Sequence, residues 1–205
     1  FWARHLKNVD SVYAVVDSLE KIKEIGPIRA NFERGNINYQ TDHIRNGDIY
    51  WDKVLETEVN GEREERFYYR CAALYANLLQ GRHDFEGALR ISLLALDKMK
   101  KSAVGSPMDI GVQYGDIGIC QLKMRRYDEA AKSFEKSYNY YNQAIEMDTT
   151  GLSNMNALIT ANNTTLFCID SHLYEQALQW SARADKLLEL YKKNPKGSAA
   201  VADRQ

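Results

Sequence analysis

A small-residue landmark returns four times along this chain and constrains its architecture more than any other feature. Phe85-Glu86-Gly87-Ala88-Leu89, Tyr127-Asp128-Glu129-Ala130-Ala131 and Tyr174-Glu175-Gln176-Ala177-Leu178 each place an aromatic residue three positions before a small one, and Ile44-Arg45-Asn46-Gly47-Asp48 is a weaker copy. Aligned on Gly47, Ala88, Ala130 and Ala177, the copies stand 41, 42 and 47 residues apart. A period in this range marks stacked supersecondary units, each too small to bury its apolar face alone. Arrays of that kind present surfaces for binding more often than centres for catalysis.

Between the landmarks the pattern is helical. Apolar residues return every three or four positions: Phe67, Cys71, Leu74, Tyr75, Leu78 and Leu79 form one stripe, and Ala130, Phe134, Ser137, Tyr138 and Tyr141 another. The three prolines fall at helix boundaries. Gly26-Pro27 separates a first helix from a second, Ser106-Pro107-Met108-Asp109 supplies an N-cap hydroxyl followed by a first-turn Pro, and Asn194-Pro195 ends the last helix. No alternating strand pattern with hairpin signals stands out. The spacing predicts nine helices, at 10–24, 28–40, 46–58, 62–80, 84–101, 107–124, 127–147, 151–170 and 174–193. The last eight pair as four hairpins. With no linker rich in Pro, Gly or Ser, a single domain over 1–205 is expected. Gly197-Ser198-Ala199-Ala200-Val201 reads as the start of a further helix, so the chain is expected to be part of a longer protein.

These residues resemble the tetratricopeptide (TPR) family. The third copy carries its pattern best, with Tyr114, Ile117, Gly118, Tyr127, Ala130, Phe134 and Ser137. The second supplies Ala72, Tyr75, Ala76, Phe85, Ala88, Ser92 and Ala95, and the fourth Ala161, Thr164, Thr165, Tyr174, Ala177, Ser181 and Ala184. The first offers Gly35, Ile44, Gly47, Trp51 and Val54. The resemblance implies an all-α fold: an α-solenoid of about four TPR-like hairpins, at 28–58, 62–101, 107–147 and 151–193, plus an N-terminal helix. Two departures stand against it. The repeats exceed the family's ~34 residues, and the Pro that commonly closes each unit is missing.

Composition excludes several functions. The 27 basic and 28 acidic residues nearly cancel, whereas affinity for nucleic acid normally rests on a strong basic field; Lys98, Lys100 and Lys101 instead suit a helix C-terminus. No stretch approaches the ~20 consecutive apolar residues of a membrane span. Cys71, Cys120 and Cys168 are too few and too scattered for a disulfide framework or a metal knuckle, and read as buried thiols. In the repeat register His83 and His172 are expected at the same turn position, two residues before the aromatic, with Arg125 at the equivalent site between them and too far apart to share a metal; His43 is expected in a similar turn one repeat earlier than His83. No phosphate-binding loop, nucleophile elbow or zinc-protease motif is present. The expectation is a non-enzyme with neither cofactor nor metal.

Binding remains. In a hairpin solenoid the first helix of each unit lines the concave face. Setting aside the small and aromatic residues that pack between helices leaves Arg29, Asn36, Tyr39 and Gln40 on the first, and Arg70, Asn77 and Gln80 on the second. The third adds Asp116 and Lys123, and the fourth Asn162 and Asn163. Amide side chains both donate and accept, so they can grip a peptide backbone, and Arg70 can fix a carboxylate. The expected partner is a peptide or protein, or else a small molecule; a homodimer is compatible. On helix 107–124 the glycines Gly111, Gly115 and Gly118 share one stripe, which implies close approach of a neighbouring helix or of a ligand.

A second resemblance is looser. Val9-Asp10-Ser11-Val12-Tyr13 with Asp17-Ser18-Leu19, then Arg29-Ala30-Asn31-Phe32-Glu33-Arg34-Gly35 and Tyr50-Trp51, are similar to the N-terminal TPR-type sensor region of bacterial two-component histidine kinases. That implies a periplasmic sensor passing a conformational bias to a kinase. A cytoplasmic peptide-binding regulator and a scaffold or adaptor protein remain open alternatives.

Overall fold

The computed structural model describes residues 9–102, 105–145 and 152–193. Among them the chain is all-α, with nine helices and no strand. They are α1 (Val9–Lys21), α2 (Pro27–Gln40), α3 (Ile44–Glu56), α4 (Glu62–Gly81), α5 (Phe85–Lys101), α6 (Pro107–Lys123), α7 (Tyr127–Ile145), α8 (Leu152–Asp170) and α9 (Tyr174–Lys193). The boundaries expected from periodicity hold within a few residues. The Pro195 stop and the segment after Gly197 lie outside the described residues.

Two of the helix starts have local side-chain caps. Ser106 accepts from the Asp109 amide at 3.1 Å while the Asp109 carboxylate accepts from the Ser106 amide at 3.3 Å, a capping box ahead of Pro107. Asp84 caps α5 through the Gly87 amide at 2.9 Å. At α2 no side chain caps from the preceding turn; the Glu64 carboxylate, from the first turn of α4, accepts from the Ile28 amide at 3.0 Å instead. Lys98, Lys100 and Lys101 occupy the last turn of α5, where they oppose its dipole.

The repeat period reappears in the backbone. Lys23 (φ 59°) takes the left-handed region between α1 and α2, and four later turns do the same with Asp42 (φ 60°), His83 (63°), Arg125 (62°) and His172 (60°). The intervals between these four are again 41, 42 and 47 residues. In three of these turns, as at the Lys23 turn with Glu24 to Leu19, the next residue's amide reaches back five positions, from His43 to Asn38, Arg126 to Gln121 and Leu173 to Cys168. This is the bond that closes a helix C-terminus when the chain reverses. His83, Arg125 and His172 share one turn position, as the register predicts, and Asp42 fills it in the first copy; His43 sits in the same turn one residue on, at the start of α3.

The chain divides into two compact units, Phe1–His83 and Asp84–Gln205. In the first, α1 packs on α2, and α2 packs on α3 and α4, which also touch each other. Its core joins an aliphatic cluster of Val12, Val16, Ile25, Ala30 and Ile37 to an aromatic one. There Trp51 stacks on Phe32 (centroids 6.1 Å apart), meets Tyr39 (4.4 Å) and Tyr75 (5.7 Å), and donates to the Phe32 carbonyl at 3.2 Å. Gly35 makes this possible, because a Cβ there would overlap the indole. Gly47 does the same for the Tyr39 ring.

In the second unit α5, α6, α7, α8 and α9 pack each on the next. The glycine stripe of α6 receives α7: a Cβ at Gly118 would stand 2.7 Å from the Phe134 ring, and one at Gly111 2.9 Å from Tyr141. Ser137 donates to the Gly111 carbonyl at 2.7 Å. A neighbouring helix, not a ligand, explains these glycines. Ala88, Ala130 and Ala177 are all buried, and Phe134 and Tyr127 both reach the Phe167 ring. Tyr127 stays 43% exposed, so it covers that contact from outside rather than filling it. Cys71, Cys120 and Cys168 are buried thiols, as expected; burial raises the pKa of Cys71 and Cys168.

One expected stripe is buried only in part. On α4 the buried residues are Tyr68, Tyr69, Cys71, Ala72, Tyr75, Ala76 and Leu79, so Cys71, Tyr75 and Leu79 of the stripe are core, whereas Leu74 and Leu78 are 39% and 36% exposed. Apolar type alone marked them as core. The α4 flank that bears Phe67, Arg70 and Leu74 instead faces a cavity.

Candidate functional site

That cavity, about 510 Å³, lies in the first unit. Helix α2 forms its wall with an unbroken helical stripe, Arg29, Phe32, Glu33, Asn36, Ile37 and Gln40. Helix α4 contributes Phe67, Arg70 and Leu74, and α1 adds Val12 and Val16. The arrangement follows from the helical period. The polar members of the α2 stripe share its cavity side with Phe32 and Ile37, while Arg34 turns to α1 and binds Asp17 and Glu20, both at 2.6 Å.

The two cavity arginines are held differently. Arg29 lies over the Phe67 ring at 5.0 Å and Arg70 over the Phe32 ring at 5.6 Å. The two rings meet at 5.8 Å, so the guanidiniums flank one aromatic pair. None of the ion pairs among the described residues involves Arg29, Arg70 or Glu33. The Arg29 Nε is buried with no hydrogen-bond partner among the described residues. A buried donor left open is costly unless something else meets it.

Four of the expected site residues therefore come together: Arg29, Asn36, Gln40 and Arg70. Tyr39 does not join them. It falls on the flank of α2 that faces α3, where its hydroxyl donates to Asp48 at 2.5 Å and Arg82 covers its ring at 5.5 Å. Asn77 is exposed further along α4, and Gln80 buries its Nε2 without a partner among the described residues. In the second unit Lys123, Asn162 and Asn163 are exposed. Asp116 is half-buried, and loss of hydration raises its carboxyl to about 6.

Sequence reasoning missed Phe32, Glu33, Phe67, Val12 and Val16. The aromatic residues had been assigned to packing between helices, and α1 lies outside the repeats. Glu33 carried a usable signal, because it stands one turn after Arg29 on the same stripe. Among the described residues no group of three or more His, Cys, Asp or Glu side chains could hold a metal ion. No helix among them is long and apolar enough to cross a membrane.

No family model and no curated protein matches the chain. Among solved structures it is similar to BtubC (BKLC) from P. vanneervenii, at 10% identity over 89% of each chain and a TM-score of 0.51. At that identity the likeness concerns the fold alone.

Proposed function

We propose that this chain is a non-catalytic ligand-binding module of the TPR type, with helical hairpins arranged as a solenoid and the cavity between α1, α2 and α4 as its ligand site. One observation carries the reading: two guanidiniums share one cavity, each stacked on a phenylalanine ring, and neither has a carboxylate partner among the described residues. Stacking fixes the heads while leaving their in-plane N–H donors available to a ligand. The recurrent turn and the buried small residues of each copy support the repeat assignment.

A thermal-shift screen against small organic acids, amino acids and short peptides tests the site. At least one compound should raise the melting temperature of the wild type and fail to do so in Arg70→Ala. A screen without hits, or hits indifferent to Arg70, would remove the cavity as the site. Within a bacterial sensor kinase, the setting the sequence resemblance implies, occupancy of the cavity would bias the kinase from the periplasm. Autophosphorylation of the full-length protein should then change on ligand addition; constant phosphate incorporation at saturating ligand would exclude that role.

A further inference from the structure

We infer that the cavity takes a small zwitterion with an apolar body, the chemistry of an apolar amino acid, with its carboxylate on Arg29 and Arg70 and its ammonium on Glu33. This rests on the cavity being the ligand site. Among the described residues the charges facing that space are two guanidiniums and one carboxylate, and no ion pair among these residues neutralises any of them. Arg29 and Glu33 stand one turn apart on α2, the spacing at which opposite charges can meet. They do not close on each other, and Arg29 is drawn over Phe67 instead. Both signs of charge are thus presented separately to the same space.

A ligand bearing one group of each sign satisfies all three. A dianion would meet Glu33, and a simple amine would meet two guanidiniums; each sets like charges together and leaves a cavity charge without its complement. Asn36 and Gln40 can donate or accept beside either end. The rest of the described lining is apolar, from Val12, Val16, Ile37 and Leu74 with the two phenylalanines. A volume of about 510 Å³ lies within the ~300–1,000 Å³ of small-molecule sites.

The test is calorimetric titration of the whole chain with L-leucine, L-isoleucine and L-phenylalanine, and with isocaproate and isoamylamine, which each keep one charged end of leucine. At least one amino acid should bind, and the acid and the amine should bind about tenfold or more weakly than leucine. Glu33→Gln, which keeps the shape, should bring leucine down toward isocaproate and leave isocaproate unchanged. Isocaproate binding as tightly as leucine, or leucine binding unaltered in Glu33→Gln, would overturn the zwitterion. So would failure of all three amino acids, or tighter binding of a peptide whose only free end is its carboxylate. In those cases an Arg70-dependent hit in the thermal-shift screen still upholds the cavity as the site, so the two failures are distinguishable.

Discussion

Arginines stacked on aromatic rings occur in both compact units, but their surroundings differ. In the second unit Arg183 lies 4.3 Å over Trp180 and 5.0 Å over Tyr138, and it closes a two-bond pair with the Glu135 carboxylate. Two of its donors are used within the protein, and they tie α7 to α9. In the first unit Arg29 and Arg70 make the same kind of stack on Phe67 and Phe32 but meet no carboxylate among the described residues. Stacking alone does not separate a structural arginine from a binding one. What separates them is whether the hydrogen-bonding edge has been used.

The comparison can be broken most sharply at the glycines. Gly35 in the first unit has no room for a methyl group, because Trp51 is fixed by its hydrogen bond to the Phe32 carbonyl. Gly35→Ala should cost about 3 kcal/mol or more. In the second unit a Cβ at Gly115 would meet only the Ser137 hydroxyl at 3.4 Å. Gly115→Ala should be neutral or stabilise by up to about 1 kcal/mol, the gain in helix propensity. Urea melts of the two variants check both; equal effects would mean the units are packed to the same tolerance.

Asp116 asks whether an unpaired charge in the second unit is a site or only a cost. Its carboxyl titrates at about 6 in the folded protein, against about 4 in the unfolded chain. Between those values the folded state binds more protons, so this group's contribution to stability falls as pH rises from about 4 to about 6 and then levels. Asp116→Asn should abolish that slope and be more stable than wild type at neutral pH, by a margin on the order of 2 kcal/mol. An unchanged slope in urea melts across that range would show that the carboxylate is compensated in the folded state.

The smallest expected effect bears most directly on the comparison. Arg183→Met should lower stability by about 1 kcal/mol, through its half-exposed ion pair and its stacking. Arg70→Met should change stability by less, about 0.5 kcal/mol, since it removes a stack on Phe32 but no ion pair formed among the described residues. If the order were reversed, Arg70 would be a structural tie and the cavity would lose its claim.

Much of the fold was legible because its signals are local. The capping box at Ser106, the first-turn prolines and the return of apolar residues every three or four positions act within a few residues of themselves. They placed nine helices nearly where they lie. The stripe Arg29, Asn36 and Gln40 was legible for the same reason. Tyr39 was misassigned because its face depends on Gly47 and Trp51, residues of another helix. Leu74 was read as core because an apolar side chain looks the same beside a neighbour as beside a cavity.

The amino-acid order by itself set the helices, their turns and the period of 41 to 47 residues, since backbone hydrogen bonding and side-chain sterics reach only one or two turns. Only the tertiary structure decided which charges would be met. Glu135 meets Arg183 across 48 residues of chain; Glu64 caps α2 from 36 residues away; Glu33, one turn from Arg29, meets no cation among the described residues. Proximity in sequence does not fix distance in space once side chains choose between a charge and a ring, and that choice left the first unit with a charged cavity.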